Sequence, residues 1–510
     1  MKWWQTGCVY QVYLRSFQDS DGDGVGDIAG LRRRLPYLAG LGVSALSLSP
    51  VHDSPNVDFG DDVSDYRSVH PQLGTEAELL GLIHDAHAVG IGIIFDGILN
   101  HTADVHPWFT DSRQRANARD DWYIWRDTPN NWQSTVGGSA WTFCPQRGQH
   151  YLHSFAPQQP DLNWRCPEVA EAVIAEMTHW LDRGVDGFRL DAFNCFRKSA
   201  DFTDNPRRLT PAALAYSYVG QHHVHDRDQD DLAEILAILR AVVDRYPGRY
   251  LVGEPHDAPH HSNQAARWVG PDFLHGAFSF TLLNTKWSAR AFRNAIRGWL
   301  EALDGKWPTW VVGSHDFPRA ATRWGDSDAR ARLLPLIQCG LRGTPFLYYG
   351  DEIGMREGPL ARSERRDQPG RRPWPLSPGR DGCRTPMRWT DGVGGGFSTG
   401  MPWLPMSPGS SAAAQEDPTS ILGTWKRMLA LRQENVALTA GDQGTVVNAG
   451  SVLRWTRAAA GQAVAVVVNM GGREASHPYR GPVLLSTHGS GSRPGVVRAY
   501  EGLVVDVGAQ

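Results

Sequence analysis

The sequence predicts an α/β fold, a (β/α)₈ barrel with an inserted subdomain after its third strand and a small C-terminal antiparallel β domain. Eight short runs rich in Val, Leu, Ile, Phe and Tyr are typical of buried parallel strands. Most of these runs precede a segment with the apolar spacing of a helix, and this alternation favours a closed barrel over an open sheet. Late in the chain, short Val-rich alternating runs predict the antiparallel domain.

The predicted elements alternate along the chain. The strands cover Val9–Phe17, Val43–Ser49, Ile91–Phe95 and residues 185–190, 249–253, 276–281, 309–314 and 344–349. The helices cover Asp27–Leu41, Thr75–Val89 and residues 168–183, 230–245, 288–303, 328–341 and 418–434. Thr75 is followed by Glu78 three residues later, which is the capping-box pattern of a helix start.

The length of 510 residues predicts more than one domain. Residues 1–101 and 168–438 are assigned to the barrel. Residues 102–167 are too long for an ordinary barrel loop, and they predict a subdomain over the mouth of the barrel. Residues 439–510 form the predicted C-terminal β domain.

Composition excludes several classes of protein. A net charge of −4 leaves no basic surplus to neutralise phosphates, so no nucleic-acid partner is expected. No apolar run is long enough for a transmembrane helix, and a strand begins by Val9, which leaves no room for an export signal. The six scattered cysteines predict free thiols in the cytoplasm. The 20 tryptophans suit either sugar binding or core packing.

Three acidic residues each follow a predicted barrel strand. Asp191 ends Val-Asp-Gly-Phe-Arg-Leu-Asp, Glu254 ends Arg-Tyr-Leu-Val-Gly-Glu, and Asp316 follows Trp-Val-Val-Gly-Ser-His. Active sites of such barrels lie at the C-terminal ends of the strands. We therefore expect the three carboxylates to converge, although structural salt bridges at strand ends are the alternative.

A glycine-rich acidic loop follows the first strand. Its carboxylates stand at positions 1, 3, 5 and 9, which is the ligand spacing of a calcium loop. Position 12 is Gly30 rather than Glu, so the loop is not an EF-hand. The predicted ligands of a structural Ca²⁺, with Mg²⁺ as the alternative ion, are Asp19, Asp21, Asp23, the backbone carbonyl of Val25, and Asp27. An acidic turn without metal is the other interpretation.

Four motifs in order resemble the signature regions of the α-amylase superfamily, glycoside hydrolase family 13. They are Asp96-x-x-x-Asn100-His101, Gly-Phe-Arg189-Leu-Asp191, Gly-Glu254 and His315-Asp316. The opening Trp-Trp-x-x-x-x-Val-Tyr-Gln-Val-Tyr-x-Arg-Ser-Phe and the segment at residues 379–389 resemble the α-glucosidase branch, including bacterial enzymes that also transfer glucose.

This resemblance implies a retaining hydrolysis that uses two carboxyl groups roughly 5 Å apart. Asp191 would be the nucleophile, and Glu254 would be the acid and then the base, with the higher pKa. Asp316 would bind sugar hydroxyls and stabilise the transition state.

Three further residues gain implied roles. Arg189 lies on the same face of its strand as Asp191 and would keep that carboxylate ionised. His101 and His315 would donate hydrogen bonds to hydroxyls of the reacting sugar.

The loop at residues 54–67 resembles the pocket loop of the family but departs from it. In relatives, a Tyr-Asp pair follows the glycine; here Asp62 and Arg384 match the pair that grips the outer sugar hydroxyls, but Asp61 replaces the stacking Tyr. Either Asp61 turns aside and another aromatic fills the space, or the donor site is altered to accept an unusual or cationic glycoside.

The expected function is that of an exo-acting α-glycosidase. It would cleave the terminal α-linked sugar of short oligosaccharides or small glucosides, with transfer to other acceptors as a side reaction. Ala192, next to the nucleophile, resembles relatives that prefer α-1,4 over α-1,6 links. The alternatives are a transglycosidase of the sucrose- or maltose-isomerase type and, from another class, a non-catalytic sugar-binding relative.

Overall fold

The computed structural model describes residues 1–209, 211–214, 216–256, 263–367 and 379–508. It contains a closed barrel in which each strand pairs in parallel with the next and the last closes on the first. The barrel strands are β1 (Val9–Val12), β2 (Ala45–Leu48), β3 (Gly92–Gly97), β4 (Gly187–Leu190), β5 (Tyr250–Gly253), β6 (Gly276–Ser279), β7 (Thr309–Val311) and β8 (Thr344–Tyr348). The predicted fold class is confirmed.

Helices lie between the strands, as the sequence predicted. The longer ones are Glu76–Ala88, Pro107–Gln114, Pro167–Asp182, Leu232–Asp244, Ala289–Leu303 and Ile421–Glu434. Shorter ones are Trp3–Thr6, Ile28–Arg33, Leu35–Leu41, Ala320–Arg323, Asp328–Ala331, Leu334–Gly340 and Val436–Thr439. Thr75 caps its helix by accepting the amide of Glu78, as expected.

Some predicted boundaries were wrong. The single helix predicted over Asp27–Leu41 breaks at Arg34, because Pro36 in the first turn of the second helix has no N–H to continue the first. Pro335 divides the helix predicted over 328–341 in the same way. The first strand stops at Val12 rather than Phe17, since a 3₁₀ turn follows it.

The insertion and the C-terminal region have sheets of their own. Strands Trp125–Arg126, Gln149–Leu152 and Trp141–Cys144 form a three-stranded sheet after β3. The C-terminal sheet is built from Asp442–Gln443, Val447–Ala449, Val452–Ala459, Gln462–Asn469, Val483–Ser486 and Gly502–Asp506. Two small pairs join His52–Asp53 with Asp65–Val69 and Ala475–Ser476 with Val496–Val497. The domain boundaries themselves stay predictions.

The core explains most of the tryptophan content. Trp132, Trp180, Trp299, Trp310, Trp425 and Trp455 are among the largest fully buried side chains. All six cysteines are free thiols. In the part of the chain that the structure describes, no helix combines the length and apolarity needed to cross a membrane.

Candidate active site

The three predicted acids line one cavity at the C-terminal edge of the barrel. Asp191 follows β4 directly, Glu254 follows β5 directly, and Asp316 lies shortly after β7. The cavity that they share has a volume of ≈ 330 Å³. The expected convergence of the three side chains is what the structure shows.

A glycine brings the first two acids together. Gly187 has φ +153, and a Cβ there would lie 1.9 Å from the Tyr250 carbonyl oxygen. Only glycine lets β4 approach β5 this closely. The close approach sets Leu190 beside Gly253, so the residues that follow them, Asp191 and Glu254, leave the barrel side by side.

Arg189 binds both of these acids from a buried position. Its Nη2 lies 3.2 Å from Asp191 Oδ1 and 2.6 Å from Glu254 Oε2, and its Nη1 pairs with Asp96. The two contacts on one nitrogen place those carboxylate oxygens no more than about 6 Å apart. That separation fits a retaining glycosidase better than an inverting one, which needs about 6.5–9.5 Å.

The three acids differ in how readily they ionise. Burial raises the pKa of Glu254 to about 8, because Arg189 only partly offsets it and Asp316 and Asp191 add repulsion. Burial also raises the pKa of Asp191, against the attraction of Arg189. Arg189 therefore favours the ionised nucleophile, as predicted, but does not outweigh its desolvation.

Asp316 is held ionised by its neighbours. Burial opposes its charge, but His315, Arg380 and Arg384 keep the pKa of this carboxyl below its usual range. Arg384 Nη2 lies 2.9 Å and Arg380 Nη1 3.3 Å from Asp316 Oδ1. Burial lowers the pKa of His315 to about 3, so near neutral pH its ring is uncharged and the two guanidinium groups supply the attraction.

The predicted pairing of Asp62 with Arg384 is not formed in the structure, while their predicted contacts with the sugar stay predictions. Asp62 is fully buried, and its two oxygens accept the backbone amides of Val57 and Asp58 at 2.7 and 2.9 Å. Arg384 instead bonds Asp316 and the His315 carbonyl. The carboxylate of Asp62 therefore holds its own loop in place.

Sequence reasoning missed the ion pairs that do line this part of the cavity. Arg380 pairs with Asp58 and Asp316 and lies 2.7 Å from Asp367 Oδ1. Arg380 stands four residues before Arg384 in the segment that resembles the family, but the motif does not show which guanidinium enters the cavity. Asp58 lies in the same loop as Asp61. The presence of these two acids in the pocket loop was the feature of the sequence that indicated a partner for an arginine.

Asp61 contributes its side chain to the cavity and its backbone to a histidine. His101 Nε2 donates to the Asp61 carbonyl at 2.8 Å, so in this structure that nitrogen is engaged by the loop rather than free for a sugar hydroxyl. The His315 ring accepts at Nδ1 from Gln11 at 3.3 Å, which leaves its Nε2 facing Asp316 at 3.6 Å.

Aromatic faces also line the cavity. They are Phe155, Tyr216, Tyr218, Phe280 and Phe317. Among the described residues, no tryptophan lines it. The tryptophan-rich composition therefore belongs to core packing, and phenyl and phenol rings provide the apolar faces on which a sugar can pack.

The acidic loop gathers three of its five predicted ligands. Asp19, Asp21 and Asp27 offer carboxylate oxygens within 4.8 Å of one another. Asp23 is not in this group, and its Oδ1 accepts the amide of Val25 at 2.7 Å. Oxygen donors at this spacing fit a hard divalent cation.

Known proteins resemble this chain over almost its whole length. The family model described as "Alpha amylase, catalytic domain" matches residues 11–441. A probable α-glucosidase of Rhizobium meliloti (strain 1021) is 40% identical over 493 residues, covering 92% of this chain and 89% of that protein. An oligo-1,6-glucosidase of Parageobacillus thermoglucosidasius is 34% identical over 515 residues, covering 92% and 90%.

A solved structure agrees with these sequences. The α-glucosyl transfer enzyme XgtA superposes with a TM-score of 0.92 at 37% identity, covering 99% of this chain and 100% of that one. The family match spans most of the chain, and the acids that carry the resemblance meet in one cavity. The chain therefore belongs to the α-amylase family of glycoside hydrolases.

Proposed function

We propose that the protein is a retaining, exo-acting α-glycosidase of the α-glucosidase type. One observation carries the proposal, namely the contact of Asp191 and Glu254 with the same nitrogen of Arg189. It keeps one oxygen of Asp191 within about 6 Å of one oxygen of Glu254, which supports a double displacement through a covalent glycosyl-enzyme. The named relatives, an α-glucosidase and an oligo-1,6-glucosidase, support α-linked glucosides as substrates.

The two carboxyl groups would divide the chemistry between them. Glu254, whose pKa of about 8 keeps it protonated at neutral pH, would protonate the leaving oxygen while Asp191 attacks the anomeric carbon. Glu254 would then take a proton from water, which attacks the anomeric carbon on the face that the leaving group left and breaks its bond to Asp191.

Asp316 and the cavity wall would position the sugar. The ionised Asp316 would accept hydrogen bonds from hydroxyls and stabilise positive charge as it develops on the ring. Asp58 and Arg380 line the same cavity and would bind the outer hydroxyls of the terminal sugar, which supports exo cleavage. This pair replaces the predicted pair of Asp62 and Arg384 in that role.

The test is the configuration of the first product. A panel of α-glucosides followed by proton NMR is expected to release the α-anomer before mutarotation. A β-anomer formed first would contradict the assignment of Asp191 as nucleophile. Asp191→Ala is expected to abolish turnover, and near-normal turnover of that variant would overturn the whole proposal.

Transfer to a sugar acceptor is the second candidate function. It is supported by the likeness to an α-glucosyl transfer enzyme, since water and sugar hydroxyls compete for one glycosyl-enzyme. Product analysis at rising substrate concentration separates the two. New oligosaccharides that increase with substrate favour transfer, and free sugar alone favours hydrolysis.

We also propose a structural cation in the loop after β1. The grouping of Asp19, Asp21 and Asp27 supports Ca²⁺, with Mg²⁺ as the alternative, and Asp23 and the Val25 carbonyl remain predicted ligands. A cytoplasmic location is proposed as well, and the six free thiols support it.

A further inference from the structure

We propose that the donor site takes a terminal sugar that carries a positively charged amino group, which the carboxylate of Asp61 binds. The inference rests on the proposed function and names its substrate class. It starts from the position at which this chain departs from the Gly-Tyr-Asp pattern that it otherwise resembles.

The position of Asp61 is fixed by the loop around it. The buried Asp62 accepts the amides of Val57 and Asp58, and the Asp61 amide donates to the Asp58 carbonyl at 3.2 Å. The Asp61 carbonyl is held by His101. With the backbone on both sides fixed, the Asp61 side chain lines the cavity together with Asp191 and Asp316.

In the part of the chain that the structure describes, no cation forms an ion pair with Asp61, although Arg380 and Arg15 attract its charge. Arg380, the guanidinium that lines the cavity, makes its hydrogen bonds to Asp58, Asp316 and Asp367. Among the described residues, the Asp61 carboxylate has neither a hydrogen bond nor an ion pair. Burial and the neighbouring Asp58 and Asp191 raise its pKa well above the usual range, and the attraction of Arg380 only partly opposes them.

The whole site is rich in carboxyl groups. Among the described residues, three guanidinium groups, those of Arg189, Arg380 and Arg384, stand among seven carboxyl groups, of which Glu254 is protonated at neutral pH. The acids are Asp58, Asp61, Asp96, Asp191, Glu254, Asp316 and Asp367. With a neutral glucose the partly desolvated cavity favours the protonated form of Asp61, whereas an ammonium group would stabilise its ionised form by pairing with it.

The presence of Asp61 in place of tyrosine also removes an aromatic contact that a neutral sugar would use. A tyrosine at this position would offer an aromatic face to the C–H surface of glucose, and a carboxylate cannot. Asp61 therefore weakens binding of an ordinary glucoside and adds an attraction that only a cationic sugar meets. Both effects favour the same class of donor.

The test compares p-nitrophenyl α-glucoside with p-nitrophenyl α-glycosides in which an amino group replaces a ring or exocyclic hydroxyl, one position at a time. At pH 7 the native enzyme is expected to have a higher kcat/KM on at least one amino glycoside than on the glucoside. Asp61→Asn keeps the shape of the side chain and removes its charge. The ratio of kcat/KM on the amino glycoside to kcat/KM on the glucoside is expected to fall by about tenfold in this variant, since a single ion pair is worth this much in a partly buried site.

The control is Asp272→Asn, which removes an exposed carboxylate that does not line the cavity. It is expected to leave the ratio unchanged, and thermal unfolding checks that both variants are folded. A native enzyme that prefers the neutral glucoside to every amino glycoside, or an unchanged ratio in Asp61→Asn, would overturn the proposal. Failure of the proposed function differs from both, because no substrate in the panel would then show release that depends on Asp191.

Discussion

Arg384 donates a hydrogen bond of 2.9 Å to Asp316 from a position that is almost completely buried. The bond ties the segment after β8 to the acid after β7. It also holds Asp316 ionised in a cavity whose burial alone would favour the protonated form.

Replacing this arginine is expected to slow the reaction. In Arg384→Gln the pKa of Asp316 rises, because a charge that stabilised its ionised form is gone. The value of kcat should fall by about 10²-fold, a typical loss for one electrostatic stabiliser, while the acidic limb of kcat/KM stays with Asp191, whose pKa is the higher of the two. Arg388→Gln, four residues later, is the control, and an equal effect there would contradict the assignment.

The basic limb of the pH profile is expected to belong to Glu254. Its pKa is raised to about 8, so it loses its proton, and with it the ability to protonate the leaving oxygen, as pH rises through 8. The measurement is kcat/KM between pH 5 and 10 on a maltose-type substrate. If the basic limb of kcat/KM stays at the same pH in Glu254→Gln, the limb belongs to another group.

Asp61→Tyr is expected to raise activity on ordinary maltose-type substrates. The substitution restores an aromatic face to the cavity wall and removes an unpaired carboxylate. We expect kcat/KM to increase mainly through a lower KM. Should activity on those substrates stay level or fall in a folded variant, the stacking argument is wrong.

Glu352 is expected to make the protein less stable as pH rises. Burial raises its pKa from 4.5 to about 7, and its Oε1 accepts hydrogen bonds from Tyr10 and Tyr37. The folded state thus binds the proton more tightly than the unfolded state, so stability is full below pH 4.5 and declines until pH is near 7. Over that range the loss is on the order of 3 kcal/mol.

Denaturant unfolding at pH 5 and pH 8 checks this expectation. Glu352→Gln cannot ionise. Its stability relative to the native protein, measured as the difference in free energy of unfolding, should therefore be greater at pH 8 than at pH 5. An identical pH dependence in both proteins would show that Glu352 keeps an ordinary pKa.

Removal of divalent cations is expected to lower stability and spare the chemistry. Chelation should lower Tm, and Ca²⁺ should restore it, because the charges of Asp19, Asp21 and Asp27 repel one another without a cation. Asp21→Asn should weaken calorimetric Ca²⁺ binding while kcat stays close to native. Absence of both Ca²⁺ binding and a Tm shift would leave the loop a plain acidic turn.

The fold was predictable because its signals are local. Alternating apolar runs identify the strands, and an acid after each of β4 and β5 must reach the same barrel edge wherever the chain goes next. Pro36 and Pro335 were local signals of helix boundaries, because each lies in the first turn of a new helix where one continuous helix was predicted.

The pairing of charges within the site was less predictable. The motifs contain Arg380, Arg384, Asp58 and Asp62, but choosing the true pairs needs distances between segments far apart in the chain. Asp62 was assigned to the sugar because the sequence does not show that two backbone amides already occupy it.

Bracing of the pocket loop by Asp62 has an evolutionary consequence. Since Asp62 and the main chain keep the loop in shape, the side chain at position 61 can change without disturbing the scaffold. Codons for tyrosine and aspartate differ by one nucleotide. A single point mutation is therefore enough to exchange tyrosine and aspartate at position 61 while the contacts that hold the loop stay in place.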